Sequence, residues 1–320
     1  MQKSPPIWQA ALSGYSDYAM RALAREYGAD MTFSGVILDK SASHPKAIRK
    51  KRFRPGEDEH PIGGQLLGND PKLMAAGARA LEEIGYDVVD LNFACPVPKV
   101  LRRERGGYLL NCPERVAEIF KRVREAVRCA VFMKLRSGYT LGQESRDNFL
   151  RICEQAVRDG VDGLIVHGRT VEQRYRGKAD REVLRELKRR FPQTLILGSG
   201  DLFTAEDIVQ CLRQTGVDGV VVARGAIGNP WIFAEARALL ENQTKPPEPP
   251  LQEQGRVMLR HFTMVQAQYE KRKAVAYFRK FSVNYCRRHP ERKTVQRYLM
   301  EARTCAEVTS AIAHWYGLNE

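Results

Sequence analysis

The chain has 320 residues, 43% of them hydrophobic, which is enough to form one large folded domain and a smaller second one. Its net charge of +14 favours a polyanionic partner, either nucleic acid or an anionic membrane surface, although an arginine-rich solvated surface gives the same total. No run approaches eighteen apolar residues and the N-terminus lacks a long apolar stretch, so we expect neither a membrane span nor a signal peptide.

Short apolar runs, many of them β-branched, alternate along the chain with longer segments of helical periodicity. The predicted strands are Ile7–Ala11, Met31–Gly35, Ile62–Leu66, Val88–Leu91, Val131–Leu135, Gly163–Val166, Leu195–Leu197 and Val220–Ala223. The predicted helices are Asp17–Tyr27, Pro71–Ile84, Pro113–Val127, Asp147–Asp159, Arg181–Phe191 and Ala205–Gln214. A basic loop over 39–59 is predicted after the second strand. The alternation indicates an α/β protein with a parallel sheet, and eight strands in roughly 235 residues favour a closed TIM barrel over an open doubly wound sheet.

The pattern changes at residues 244–252, where four prolines predict a stiff extended linker. Beyond it, residues 253–271, 274–288 and 304–316 have helical spacing and basic faces. From Leu251 to Glu320 there are 13 Lys and Arg against 6 Asp and Glu, so half of the excess charge lies on less than a quarter of the chain. We therefore predict a barrel domain over 1–243, a linker over 244–252 and a small helical domain over 253–320.

Polar residues follow six consecutive predicted strands. They are Gln65, Asn92, Cys95, Lys134, Arg136, His167, Arg169, the segment Gly198–Asp201 and the segment Ala223–Gly228. Barrels of this type carry their catalytic groups at the C-terminal ends of the strands, and their last two loops commonly bind phosphate. Gly200 and Gly225, with Arg224, fit such a phosphate site, although tight turns explain the same glycines equally well. Neither a Walker motif nor a G-x-G-x-x-G sequence follows the first strand, which argues against a nucleoside triphosphate or Rossmann site.

Cys95 lies just past a strand end on a loop that contains Pro96 and Pro98. Residue type alone favours a small buried apolar side chain, and the alternative is a positioned proton donor or nucleophile. The seven cysteines form an odd, scattered set that fits reduced thiols and a cytoplasmic location. No Cys/His cluster has the spacing of zinc ligands, so no metal is expected.

Lys134, at a strand end, needs an anionic partner. His167 alone is more often a packing or capping residue, but beside Lys134 it suits an electron-rich cofactor, since a cation near the pyrimidine edge of a flavin stabilises the reduced anion. The aromatic residues Tyr175, Trp231 and Phe233 are predicted to be packing residues rather than stacking platforms.

Five segments together resemble the flavin-dependent tRNA-dihydrouridine synthases of the bacterial type. They are SGYSDYAMRAL near the start, LNFACPVPKVLRRERGGYLL with its Asn-x-x-Cys-Pro core, FMKLRSG, IVHGRT and VARGAIGNPWIF. The resemblance runs from about residue 7 to residue 240, and the helical tail is similar to the RNA-binding domain of that family. Their combination is specific, whereas none of the segments is specific alone.

The resemblance implies an FMN-dependent, NADPH-driven enzyme, expected to be a monomer, that reduces the 5,6 double bond of a uridine in tRNA. The hydride would pass from FMN N5 to C6 of uracil, and Cys95 would donate the proton to C5. The implied cofactor residues are Ala11, Leu12, Gln65, Lys134, His167, Ser199, Gly200, Asp201, Ala223, Arg224 and Gly225. The implied uridine-binding residues are Asn92, Lys134, His167 and Arg169.

Two positions depart from the family pattern. Ala11-Leu12 stands where the family has Pro-Met, and Ser199 stands where it has Asn, so the packing of the flavin and one ribityl hydrogen bond are expected to differ. Three alternatives remain: a barrel oxidoreductase acting with FMN on a free small molecule, a non-catalytic RNA-binding protein, and a synthase acting on rRNA. The basic tail argues against the first, and the presence of Cys95, Lys134 and His167 argues against the second.

Overall fold

The computed structural model describes residues 4–50 and 53–318. Its strands are β1 (Ile7–Gln9), β2 (Thr32–Phe33), β3 (Ile37–Leu38), β4 (Ile62–Leu67), β5 (Val88–Phe93), β6 (Ala130–Arg136), β7 (Gly163–His167), β8 (Leu195–Ser199) and β9 (Gly219–Val222). Apart from the two-residue β3, which pairs only with β4, the strands form a ring in which every neighbouring pair is parallel. The ring closes because β2 pairs with both β1 and β4. The predicted eight-stranded TIM barrel is therefore confirmed.

Helices surround the barrel and continue beyond it. In the barrel part they are α1 (Tyr18–Glu26), α2 (Asp39–Ala42), α3 (Pro45–Ile48), α4 (Pro71–Glu83), α5 (Pro98–Leu101), α6 (Pro113–Ala126), α7 (Gln143–Arg158), α8 (Glu182–Arg190), α9 (Ala205–Thr215) and α10 (Ile232–Leu240). In the tail they are α11 (Leu251–Gln268), α12 (Lys271–Tyr285), α13 (Arg292–Glu301) and α14 (Cys305–Trp315). Within the described ranges, none of these helices combines the length and apolar character that crossing a membrane requires.

Three large aromatic side chains fill the middle of the barrel. The ring of Trp8 on β1 lies 6.0 Å from that of Phe33 on β2 and 5.4 Å from that of Phe132 on β6, between ring centroids. Glycines on neighbouring strands make room for them: a Cβ atom at Gly63 would lie 2.3 Å from the Phe33 ring, and one at Gly163 would lie 2.1 Å from the Phe132 ring. Small residues facing large ones let the barrel interior reach close packing.

The tail helices pack against the barrel through aromatic contacts. The Tyr15 ring, in the loop after β1, lies 5.5 Å from the ring of Phe281 on α12. Trp231 contacts Tyr27, just after α1, on one side and Tyr285 of α12 on the other, at 5.8 and 6.4 Å between ring centroids. Residues of the barrel and of the tail therefore belong to one continuous hydrophobic core. The segment 244–250 that joins them has no regular secondary structure.

Candidate active site

Strand register brings several predicted site residues to one end of the barrel. Asn92 on β5 pairs with Lys134 on β6, and His167 on β7 pairs with Ser199 on β8. Phe132, Ile165 and Leu197 face the barrel interior, and side chains two positions apart on a strand face the same side. Lys134, His167 and Ser199 therefore face inward, in the layer nearest the C-terminal mouth of the barrel.

Cys95 lies at this mouth, on the loop that follows β5. The side-chain oxygen of Asn92 accepts hydrogen bonds from the backbone N–H groups of Ala94 and Cys95, at 3.1 and 3.0 Å. From the other side, the backbone N–H of Gly107 donates to the carbonyl oxygen of Cys95 at 3.0 Å. Burial raises the pKa of the Cys95 thiol, against the opposing effects of the Val97 N–H and the Arg136 charge. A fixed thiol that stays protonated at neutral pH is suited to donate a proton.

Beneath this loop lies a chain of buried polar side chains that the sequence did not reveal. The Gln65 amide nitrogen donates to a carboxylate oxygen of Asp90 at 2.6 Å, and the Asn92 amide nitrogen donates to the Gln65 carbonyl oxygen at 2.7 Å. The signal was present in the run VVDLN, because a charged residue at an inward position of a strand needs a partner.

Lys134 and His167 differ in charge. Burial lowers the pKa of Lys134 to about 8, while the Asp90 carboxylate acts in the opposite direction, so the ammonium form persists at neutral pH. The backbone N–H of Arg169 donates to Nδ1 of His167 at 3.2 Å. Burial, followed by the charges of Lys134 and Arg136, lowers the pKa of His167 well below its usual range. His167 is therefore neutral, with the proton on Nε2, and it can donate a hydrogen bond into the site.

Close contacts require a glycine in each of the loops after β8 and β9. Gly200 has a φ of +110°, and a Cβ atom there would lie 3.1 Å from the ring of His167. A Cβ atom at Gly225 would lie 2.1 Å from the carbonyl oxygen of Leu202. Ser199, which precedes the first loop, donates from its hydroxyl to the Val221 carbonyl oxygen at 3.1 Å. The result is a closely packed pair of glycine turns next to Arg224, named the glycine cradle below.

Arg224 lies between two aromatic rings at the rim of this cradle. Its guanidinium carbon is 4.3 Å from the ring centroid of Tyr175 and 5.0 Å from that of Phe203. Tyr175 is 58% exposed, so the prediction that it is a packing residue is wrong, whereas the same prediction is confirmed for Trp231 and Phe233, which are buried. The sequence was misleading here because an aromatic residue in a basic loop stacks on an arginine instead of entering the core. Ala223, just before Arg224, continues β9 at the inner face.

Arg169 and Asp201 pair with each other. Two nitrogens of the Arg169 guanidinium each donate to a different Asp201 oxygen at 2.7 Å, and the same group donates to the carbonyl oxygens of Arg176 and Gly177. Only 3% of Arg169 is exposed. The predicted contacts of Arg169 with uridine and of Asp201 with the cofactor stay predictions, and in the described chain the pair holds the loops after β7 and β8 together.

A second buried arginine, Arg136, also holds two loops of the mouth together. Its Nε donates to the carbonyl oxygen of Ala94 at 2.9 Å, beside Cys95. Another nitrogen donates to the carbonyl oxygens of Thr170 and Arg174, at 2.8 and 2.9 Å. Arg136 therefore links the cysteine loop to the loop after β7. Sequence reasoning placed it at a strand end without a role, and no local signal would have shown which carbonyl groups it reaches.

The loop after β1 forms another side of the mouth. The Ser16 hydroxyl accepts the backbone N–H of Leu12 at 2.9 Å and donates to the Ala10 carbonyl oxygen at 3.0 Å, which leaves Ala11 and Leu12 partly exposed. Next to this loop is a cavity of about 730 Å³ between the barrel and the tail. Its walls include Gly14, Asp17, Ser34, Arg54, Met264 and Tyr277.

Two solved structures share the overall arrangement. Histamine dehydrogenase from Rhizobium sp. 4-9 superposes with a TM-score of 0.53 at 14% identity, over 81% of this chain. A complex of 2-naphthoyl-CoA reductase with 2-naphthoyl-CoA superposes with a TM-score of 0.57 at 10% identity, over 74% of this chain. The chain spans only about half the length of each, 48% and 50%, so these likenesses concern the barrel fold alone.

Comparison with known sequences identifies the family of this chain. A probable tRNA-dihydrouridine synthase of Aquifex aeolicus is 31% identical over 97% of this chain and 96% of its own length. The tRNA-dihydrouridine synthase B of Pseudomonas putida is 33% identical over 81% of this chain and 76% of its own length. A family model described as dihydrouridine synthase matches residues 8–314, which include the site and almost all of the tail. The chain belongs to the dihydrouridine synthase family.

Proposed function

We propose that this protein is an FMN-dependent tRNA-dihydrouridine synthase that reduces the 5,6 double bond of a uridine in tRNA with NADPH as electron donor. The observation that carries the proposal is the position of Cys95, whose backbone N–H the Asn92 side chain holds at the same mouth that carries Lys134 and His167. The names of the relatives in Aquifex aeolicus and Pseudomonas putida support the reaction and the RNA substrate. A tRNA substrate also fits a cytoplasmic location.

The residues at the mouth fit FMN. The loops that carry Gly200 and Gly225, with Arg224 beside them, would hold the terminal phosphate, because the last two loops of a TIM barrel commonly bind phosphate and Arg224 supplies a cation there. Lys134 and His167, with Gln65 on β4, would contact the ring, and the Lys134 charge suits a reduced, anionic flavin. When bound, FMN supplies the hydride that uridine reduction needs.

The chain itself supplies the proton and the orientation. Cys95 would donate its proton to C5 of uracil, and the nearby charge of Arg136 would stabilise the thiolate that remains. Neutral His167 can donate from Nε2 to a uracil carbonyl oxygen. The base reaches these groups only if it leaves the stack of the folded RNA, as bases do in enzymes that act on them.

The RNA-binding surface is proposed to be the start of α12, at residues 271–273. Lys271, Arg272 and Lys273 are exposed, and none pairs with an acidic side chain of the described chain. Only Glu270 separates them from Gln268 and Tyr269, which line the cavity beside the mouth. Three cations at a helix N-terminus oppose the helix dipole, so this arrangement costs helix stability and suits a polyanion instead.

Other cations of the tail are engaged within the protein. The Arg279 guanidinium donates to the carbonyl oxygen of Ala302 at 2.7 Å. Arg288 pairs with Glu235 of α10 at 3.0 Å, and Arg260 pairs with Glu26 of α1. These residues hold the tail to the barrel or to itself, so helical spacing and charge alone did not identify the cations that face solvent.

Arg224→Ala should weaken FMN retention by about 10- to 100-fold, because a charge-assisted hydrogen bond to the phosphate is lost. The measurement is the flavin fluorescence released when the loaded protein passes through gel filtration. Arg213→Ala, which removes an exposed arginine on α9, is the matched control. Full flavin occupancy in both variants would show that the phosphate lies elsewhere.

The proposed function is tested by incubating the FMN-loaded protein and NADPH with an unmodified tRNA transcript. We expect dihydrouridine in the digested RNA, detected by mass spectrometry of the nucleosides, and little with an rRNA transcript or free uridine. Equal turnover of free uridine would favour the small-molecule alternative, and turnover only on rRNA would change the substrate. Absence of dihydrouridine in every arm, with FMN bound and reducible, would contradict the proposal.

A further inference from the structure

Asp90 is a buried carboxylate for which the proposed reaction has no direct use. It is 1% exposed and lies on β5, two residues before Asn92, where its register partner on β4 is Gln65. One of its oxygens accepts the Gln65 amide at 2.6 Å. The other, Oδ1, has no hydrogen-bond partner within the described residues. A buried charge with one free oxygen is costly, so its presence in the barrel interior calls for a specific reason.

The hydrogen-bond chain that ends at Asp90 can have only one donor-to-acceptor direction. An ionised carboxylate can only accept, so Gln65 must turn its NH2 group towards Asp90 and its carbonyl oxygen away. That oxygen then accepts from the Asn92 NH2 group at 2.7 Å, which leaves the Asn92 carbonyl oxygen to face the Cys95 loop. There it accepts the backbone N–H groups of residues 94 and 95. The carboxylate therefore determines which end of each amide faces the loop.

We propose that Asp90 is a positioning residue whose carboxylate, acting through the Gln65 and Asn92 amides, fixes the backbone at Cys95. The catalytic consequence of this role rests on the proposed function, whereas the positioning itself does not. Amide oxygen and nitrogen are alike in shape, so packing alone would not prevent either side chain from turning over. Without the carboxylate, a flipped Asn92 would present NH2 to two N–H donors, and both would lose their partner.

The charge state of Asp90 supports this role. Burial raises the pKa of Asp90 to about 6, while the Gln65 hydrogen bond and the Lys134 charge act in the opposite direction. The carboxylate is therefore ionised at neutral pH and acts as an acceptor only. The same negative charge opposes the loss of the Lys134 proton, so one side chain serves both the amides and the cation of the mouth.

The proposal is tested by alkylating Cys95 in flavin-free protein, which requires no catalysis. Asp90→Ala removes the acceptor, and Asp90→Asn keeps an oxygen but loses the charge that fixes its orientation. Iodoacetamide labelling is followed by mass spectrometry of the tryptic peptide 80–99, in which Cys95 is the only thiol. Partly exposed Cys112 in the same samples is the internal reference, and Asp87→Asn, just before β5, is the matched control.

We expect the Cys95 labelling rate to rise about tenfold in Asp90→Ala, as a buried hydrogen-bond chain is lost, and less in Asp90→Asn. Cys112 in the Asp90 variants, and both thiols in Asp87→Asn, should keep their wild-type rates. An unchanged Cys95 rate in folded variants would overturn the proposal, and so would an equal rise at Cys112, since that would indicate general loosening. If the alanine variant does not fold, the asparagine variant, of nearly identical shape, still decides the question.

A second arm uses the FMN-loaded enzyme and tRNA. A positioning role predicts that Asp90→Asn lowers kcat for uridine reduction by about tenfold while the KM for tRNA stays within twofold, because the RNA-binding surface is untouched. A change confined to KM would overturn the positioning role. If no variant and no wild-type sample reduces uridine, the proposed function has failed, but the labelling result still tests Asp90.

Discussion

Cys95→Ala should reduce the rate of uridine reduction by about 10²- to 10⁴-fold, the usual contribution of one acid–base group, while FMN stays bound and reducible by NADPH. Only proton delivery is removed, because Cys95 packs against Gly106 at the side of the mouth and belongs to neither turn of the glycine cradle. The measurement is single-turnover formation of dihydrouridine in tRNA by pre-reduced enzyme. Absorbance of the flavin reports its reduction by NADPH separately.

Two controls sharpen this prediction. Cys112→Ala removes another partly exposed thiol near the same loop and should leave the rate unchanged. Cys95→Ser keeps the shape but replaces the thiol with a much weaker acid, so it should resemble Cys95→Ala. Because burial raises the pKa of Cys95, the wild-type rate should hold through neutral pH and fall only as the thiol deprotonates at alkaline pH. Wild-type turnover by the alanine variant would refute the assignment.

Reversing the charges of Lys271, Arg272 and Lys273 to glutamate should weaken tRNA binding by about 10- to 100-fold. The slope of log K against log[salt] should become shallower by about two to three. Each lost phosphate contact removes one released counterion, so affinity and salt slope should change together. The fold should not suffer, since negative side chains at a helix N-terminus are stabilising. The measurement is a titration of labelled tRNA at several salt concentrations.

The matched control lies on α13. Arg292, Lys293 and Arg297 are also exposed, and the first two begin α13. Unlike the residues before α12, the described residues of α13 do not line the cavity beside the mouth. Reversal of these three residues makes the same change in net charge and should have a smaller effect. Equal loss in both triple variants would mean that total charge, and not the start of α12, governs RNA binding.

The barrel was predictable because its signal is local and repeated. Each strand is a short apolar run, and chain order then places the strand ends at one mouth. Helices without that signal were missed: α10, IFAEARALL, is apolar on nearly every side, and α13 buries only Val295 and Leu299. The start of α7 was placed at Asp147, four residues late, because its first turn carries no apolar residue and Ser145 instead accepts two backbone N–H groups.

The site was only partly predictable for a physical reason. Residues such as Cys95 and Lys134 stand out by type at a strand end, whereas Asp90, Arg136 and Arg169 act through partners that are distant in sequence. The Arg136 guanidinium reaches carbonyl groups 34 to 42 residues away, and the Arg169 guanidinium reaches a carboxylate 32 residues away. Such contacts depend on which loops meet in three dimensions, and residue type alone cannot specify them.

The aromatic cluster of Trp8, Phe33 and Phe132 has a kinetic consequence. It fills the barrel interior below the polar layer, so the site is closed from below and is approached from the C-terminal mouth. Under the proposed function, the nicotinamide and the uridine would both approach a bound flavin from that mouth and would compete for the same space. The enzyme would then work in alternation, with the spent reductant leaving before the RNA arrives, and the reduced enzyme would have to wait for its substrate without losing electrons to other acceptors.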